Sequence, residues 1–450
     1  MAEARSSRRA AVRRSGSRPD LVIRGGKVAD ATGERRADVA VAEGEIVAVG
    51  PELEVPGGAV VLDASGCLVT PGFVDLHTHL REPGGENAET IETGTRAAVL
   101  GGYTAVMAMP NTSPAIDCAP MVQEVLQLAK SALCEVQVAG AITKARAGEE
   151  LAPMAEMKDL GVRLFTDDGA GVQDGALMRR ALDYAKGLDV TLAQHCEDRA
   201  LSEGGYMHEG EWSSRLGVPA QPAAAEESMV ARDLSLVRLT GARLHLLHLS
   251  CAGSISMLRS ARAEGVPVTA EVTPHHLSLT DACLGDYDPV FKVNPPLRPL
   301  RDVAELRQAC VEGLVDAVAT DHAPHPPESK DCPLDEAAPG MLGLQTSWPV
   351  TLASLRPEMD VAQIIALLSW RPARVAGIAL DQGGDQGGPI APGSPANICV
   401  VDATATWTVE PSRLASRAKN SPFVGRTLTG LVRHTVAKGE AVVIDGEAQR

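Results

Sequence analysis

Short apolar runs that stop at glycine, histidine or aspartate set the rhythm of this chain. From Leu21 to Val69 the runs Leu21-Val22-Ile23, Asp38-Val39-Ala40-Val41 and Glu45-Ile46-Val47-Ala48-Val49 alternate with glycine-bearing turns, which predicts a small antiparallel sheet. Ala396-Asn397-Ile398-Cys399-Val400-Val401 and Gly439-Glu440-Ala441-Val442-Val443-Ile444 repeat that texture near the other end, so the two ends are expected to pair into one β domain. Between Pro71 and about Leu380 the pattern changes to strand, loop and helix in turn. Strands are predicted to end near His77, Met109, Ala141, Thr166, His195, His248, Val272 and Thr320, with helices over 119–132, 174–186 and 226–240. Eight strands alternating with helices predict an α/β chain whose body is a TIM-like (β/α)8 barrel, with the C-terminal strand ends gathered on one face. The expected boundaries are a basic extension over 1–19, the β domain over 20–70 and 382–450, and the catalytic barrel over 71–381. The Gly/Pro-rich stretch after Gln382 marks the last change of texture.

That topology brings five polar strand ends together. Phe73-Val74-Asp75-Leu76-His77-Thr78-His79-Leu80-Arg81 places two imidazoles at i and i+2, on one face of a strand, with an arginine two residues on. Alone, His-x-His fits an ordinary strand with a polar end as well as it fits half a metal site, because a zinc site takes three or four protein ligands. Further donors stand in Thr166-Asp167-Asp168-Gly169, His195-Cys196-Glu197-Asp198, His245-Leu246-Leu247-His248 and Asp321-His322-Ala323-Pro324-His325. His245 and His248 are an odd number apart and are expected to face opposite ways, so His248, nearer the strand end, is the better ligand. Asp167 competes with Asp168. His275 and His276 read as supporting residues, and His208 and His434 as ordinary histidines.

Composition narrows the partners. The chain has 450 residues, 44% of them hydrophobic, enough for one large domain and a smaller one. A net charge of −16 argues against a nucleic-acid surface. No apolar run approaches the ~20 residues that span a bilayer. Nine scattered cysteines without a C-x-x-C pair fit free thiols in a reducing, cytoplasmic setting. The six arginines among the first twenty residues lack the apolar core of a secretory signal and read as a disordered extension.

With these motifs in hand, and with Met109-Pro110-Asn111-Thr112 beside them, the chain resembles the amidohydrolase superfamily and most closely its bacterial class I dihydroorotases. The resemblance runs from about Asp20 to the C-terminus. It implies two Zn²⁺ ions, one held by His77, His79 and Asp321, the other by His195 and His248, with Asp168 bridging them. Dihydropyrimidinases and allantoinases are related enzymes in which a carboxylated lysine forms the bridge; here the fourth strand ends in aspartates. The implied reaction is the reversible cyclisation of N-carbamoyl-L-aspartate to L-dihydroorotate, the third step of de novo pyrimidine synthesis. Asp321 would be both ligand and general acid/base. Arg81 would clamp the substrate carboxylate, and His79, Asn111, Asn294, His325, Pro339 and Gly340 would complete the substrate contacts. The polar, Pro-rich 326–339 segment is expected to cover the site. A homo-oligomer and an aspartate transcarbamoylase partner also follow from the resemblance. The competing expectations are another cyclic amidohydrolase (hydantoinase or allantoinase), or a non-catalytic scaffold for the transcarbamoylase, although all six ligand positions are filled here.

Overall fold

A computed structural model describes residues 18–450, so nearly all of the expected basic extension lies outside the described residues. The central body is mixed α/β. Phe73–Thr78, Tyr103–Ala108 and Glu135–Val138 form a three-stranded parallel sheet. Leu164–Thr166, Thr191–Gln194, Arg243–Leu246, Val268–Val272 and Ala317–Val318 form a five-stranded one. Single parallel bridges cross both seams between the sheets, Gly140 to Phe165 and Thr78 to His322.

These strands are apolar on both faces because both are covered, as parallel sheets require. Val74, Leu76, Ala105, Met107, Leu164, Ala193 and Ala319 share one buried cluster, whereas Phe73, Val106, Phe165, Leu192, Leu244 and Val318 pack against helices in another. The helix Gly175–Leu188 shows why the intervening segments coil: Asp174 caps it by accepting from the Leu177 amide at 2.6 Å. Leu177, Met178, Ala181, Leu182 and Ala185 give it one buried stripe, and Asp189 at φ 56° ends it. The other expected helices form over Ala119–Leu128 and Ala224–Thr240. Among the described residues, no helix is long and apolar enough to cross a membrane.

Both chain ends meet beside this body. Ile398–Thr408 runs antiparallel to Leu68–Pro71 on one side and to Thr427–Ala437 on the other, within a seven-stranded sheet. Leu21, Ile23, Val39 and Ile46 share an apolar cluster with Ile398, Val400 and Val436. The expected single antiparallel sheet over 21–69 is corrected in two respects: its strands divide between a four-stranded sheet and the seven-stranded one, and two of the pairings are parallel. Leu21–Arg24 pairs in parallel with Val60–Asp63, and Lys27–Asp30 in parallel with Leu68–Pro71. Parallel pairing needs a crossover instead of a tight turn, and in each pair the two strands are separated by strands of the other sheet, which supply that crossover.

Candidate metal and substrate site

At and just past the ends of the parallel strands the polar residues converge. His77 is buried, and its Nδ1–H donates to Glu271 Oε1 at 2.9 Å. That bond turns the Nε2 lone pair toward Asp168 Oδ1 at 3.3 Å and Asp321 Oδ1 at 3.4 Å, and Nε2 has no hydrogen-bond partner. A lone pair facing two carboxylate oxygens calls for a positive charge between them. His79 Nδ1–H donates to Asn111 Oδ1 at 2.9 Å, and its Nε2 lies 2.9 Å from the same Asp321 oxygen. Across the cluster, His195 Nδ1 and His248 Nε2 are 3.0 Å apart, and they approach Asp168 Oδ1 to 3.7 and 3.6 Å. The donor atoms of His77, Asp168 and His248 lie within 4.8 Å of one another, as do those of His77, His79 and Asp321.

The electrostatics express the same need for a cation. Burial alone would drive the His77 ring neutral, but Asp168 and Asp321 hold its pKa well above the usual value. Burial would likewise protonate Asp168, yet the rings of His77, His195 and His248 keep it well below the carboxylate range. His195, pulled down by burial and up by Asp168 and Glu197, sits at about 10. An all-imidazole and carboxylate donor set of this kind suits a divalent cation such as zinc. The neighbouring thiol takes no part: Cys196 Sγ is buried and lies 3.5 Å from the Gln194 carbonyl.

The adjacent aspartates divide sharply. Asp167 turns away, accepting the Ile142 and Thr143 amides at 2.9 and 3.0 Å and the Thr143 hydroxyl. Replacing it with alanine would strand those buried donors, so Asp167→Ala should cost about 1–3 kcal/mol in chemical denaturation while bound metal stays near wild type. Asp168→Ala should show the reverse, a folded protein depleted of metal by elemental analysis. If the Asp167 variant is the metal-poor one, the two roles are exchanged.

Several supporting residues escaped the sequence reading. Glu271 links His77 to His245, whose Nε2 lies 3.0 Å from Glu271 Oε2. The expectation that His245 and His248 point apart as members of one strand is corrected: the strand stops at Leu246, and His248 adopts φ 29° outside it. Both residues then reach the same glutamate, His248 through its amide at 3.4 Å. Asp75 accepts the Thr320 amide at 2.9 Å, the Thr320 hydroxyl and the His77 amide at 3.2 Å, clamping the first strand to the segment that carries Asp321. Glu197 receives Asn294 Nδ2 at 2.6 Å and lies 3.3 Å from His195 Nε2. Each of these carboxylates orients an imidazole or a strand end, as metal sites commonly require of the groups behind the ligands. For Glu271 and Asp75, a buried acid inside an apolar run was the available signal.

The remaining substrate candidates line the mouth. Arg81, at φ 61°, donates from Nε to the Pro324 carbonyl at 3.2 Å, and its Nη2 is 3.5 Å from His325 Nε2. Among the described residues it makes no ion pair within 4.0 Å. Burial lowers its pKa, opposed by Asp321 and Asp168. His325 Nε2–H donates to the Pro339 carbonyl at 2.9 Å, and burial, with Arg81, lowers the ring to about 3, so it stays neutral. Gly340 lies at φ 138°, where a Cβ would fall 2.7 Å from Ala323 Cβ and 2.8 Å from His325 Nε2; only glycine lets the chain pass so close. Asn111 faces His79 and, through Nδ2 at 3.4 Å, Asp168, whereas Asn294 turns its amide to Glu197.

Comparison with known proteins identifies the family. The family described as Dihydro-orotase-like matches residues 66–254. The dihydroorotase of Streptomyces coelicolor is 46% identical over 431 residues, covering 95% of this chain and 99% of that protein. The dihydroorotase of Mycobacterium tuberculosis is 48% identical over 417 residues, covering 92% and 96%. Among solved structures, the L-hydantoinase (dihydropyrimidinase) of Arthrobacter aurescens superposes with a TM-score of 0.85 at 24% identity, over 96% of this chain and 98% of that one. The D-hydantoinase (dihydropyrimidinase) of a Thermus species gives 0.79 at 26%, over 95% and 96%. The hydantoinase likeness identifies the fold. The near-full-length identity places the chain, with its buried histidines and aspartates, in the dihydroorotase family.

Proposed function

We propose that this protein is a zinc-dependent dihydroorotase of the class I type, interconverting N-carbamoyl-L-aspartate and L-dihydroorotate. The observation that carries the reading is the buried cluster of His77, His79, His195, His248, Asp168 and Asp321, with an aspartate at its centre and, at its mouth, an arginine that forms no ion pair among the described residues. The two parallel sheets, joined by a bridge at each seam, read as one (β/α)8 barrel with this cluster at its C-terminal face. His77, His79 and Asp321 would hold one Zn²⁺, His195 and His248 a second, and Asp168 would touch both. Bound there, the ions would polarise the ring carbonyl and acidify a water toward neutral pH.

The chain's own residues supply the rest. In the hydrolytic direction Asp321 takes the proton of the attacking water and delivers it to the leaving ring nitrogen. In the synthetic direction it removes the proton of the ureido nitrogen. Arg81 offers parallel donors to the substrate carboxylate, while His325, Asn111, Asn294 and the Pro339–Gly340 backbone position the ring. Asp75 and Glu271 hold Asp321 and His77 in register across the seam. A homo-oligomer and an aspartate transcarbamoylase partner belong to the same reading, and mass measurement with and without the transcarbamoylase tests both.

The direct test is metal analysis with parallel turnover of dihydroorotate, 5,6-dihydrouracil and allantoin. Two zinc ions per chain and a strong preference for dihydroorotate are expected. Preference for either uncharged ring, or a carboxylated lysine at the metals, would transfer the reading to the hydantoinase or allantoinase side.

A further inference from the structure

The 326–339 segment has little regular structure, only a short helical turn at Pro327–Ser329, yet it is tied down at defined points. Lys330, within the segment, donates from Nζ to the carbonyls of Pro289 and Lys292, both at 3.0 Å. Lys292, outside it, donates from Nζ to the carbonyls of Leu334 and Asp335 at 2.7 and 3.0 Å. Each side of the contact thus lends an ammonium to the other side's backbone. The Lys292 ammonium also lies 4.9 Å from the Tyr206 ring centre, and Leu334 is buried in an apolar cluster with Met207, Val293 and Met341. The Lys292 carbonyl accepts the Gly340 amide at 2.9 Å as well.

We infer that Lys292 and Lys330 are positioning residues, forming a reciprocal staple that seats the 326–339 segment over the site and so sets Pro339, Gly340 and His325 beside Arg81. The inference rests on the dihydroorotase reading for what the seated segment contacts, but not for the staple itself.

The physical case has three parts. A loop of this length without regular structure must meet the entropy of ordering from discrete contacts, and charge-assisted bonds to carbonyls are among the stronger ones. The far end of the segment makes the Pro339 carbonyl to His325 bond, so release at Lys330 frees the group that fixes the His325 ring. Lys292 stands two residues before Asn294, whose amide holds Glu197 against His195, so the staple joins the two segments that flank the ring position. All four ammonium contacts go to backbone carbonyls, so the staple is made without a direct ion pair among these bonds. Burial, then the Lys292 charge, lower Lys330 to about 7, as the close approach of the two ammonium groups requires.

The test uses the intact chain carrying Lys330→Met and, separately, Lys292→Met. In the metal-loaded, substrate-free proteins, hydrogen exchange of the 326–339 amides should accelerate about tenfold or more in both variants, and dihydroorotate should restore protection. Steady-state kinetics should show KM for dihydroorotate raised about tenfold with kcat changed less than about threefold, the signature of lost positioning rather than lost chemistry. Zinc content should match wild type. Unchanged exchange in Lys330→Met would overturn the staple, and so would a fall in kcat at constant KM or a loss of zinc. Wild-type protein without dihydroorotate turnover would instead overturn the functional reading, while the exchange measurement, which needs no turnover, would still decide whether the staple exists.

Discussion

Asp321→Asn should retain most of the proposed zinc and lose nearly all of its turnover. Asp321 adopts φ 46°, a left-handed conformation that asparagine tolerates better than most residues, so the replacement suits the backbone. The side-chain oxygen that faces His79 Nε2 at 2.9 Å and His77 Nε2 at 3.4 Å is kept, and with it a donor to the proposed metal. What disappears is the proton acceptor. Burial opposes ionisation of this carboxylate, but His77 and His79 hold its pKa below the usual range, so in the native protein it is ionised. Losing general acid–base help typically costs ~10²–10⁴ in rate, and kcat should fall by that order while elemental analysis stays near wild type. Near-normal turnover by a zinc-loaded variant would remove Asp321 from proton transfer and send the search to another group at the cluster.

The degree to which this site was legible follows from where periodicity applies. Inside strands it works. The predicted strand ends at Thr166 and Val272 coincide with the observed ones, and the Ala119, Asp174 and Glu226 helix starts fall within two residues of those found. At strand ends it fails, because the backbone leaves the pleat there. The Leu164–Thr166 strand stops before either aspartate, so alternation says nothing about whether Asp167 or Asp168 faces inward, and hydrogen bonding to the Ile142 turn decides it. His248 shows the same limit, since its φ of 29° redirects a side chain that parity would have placed by the strand.

Other parts were hidden for a different reason. Glu271 and Asp75 sit inside apolar strands, where a lone acid is a visible oddity, but their partners are 194 and 245 residues away in the chain. Only the closing of the sheets onto one another reveals that Glu271 turns His77 and that Asp75 clamps Thr320. The mouth of the site depends on loops, whose course no periodicity describes. The meeting of Arg81 with His325, and the lysine contacts that hold the 326–339 segment, belong to this class.

Arg81 carries the second large effect, and the expected result is a change in discrimination rather than in metal content. Dihydroorotate and dihydrouracil differ by a carboxylate, and Arg81 is the cation proposed to read it, with one nitrogen held by the Pro324 carbonyl and no ion pair among the described residues to satisfy the rest. A partly buried guanidinium of this kind gains most when an anion arrives and loses when an uncharged ring takes its place, because its donors then stay unpaired. Arg81→Met preserves much of the side-chain volume and removes the charge. It should lower kcat/KM for dihydroorotate by about 10²–10³, the scale of a lost charge-assisted pair, and leave the slow turnover of dihydrouracil nearly unchanged. Zinc binding should persist, since the guanidinium is not among the proposed ligands. Equal losses for the two substrates would mean that Arg81, at its φ of 61°, serves the chain path next to His79 rather than the substrate, and that another group at the mouth recognises the carboxylate.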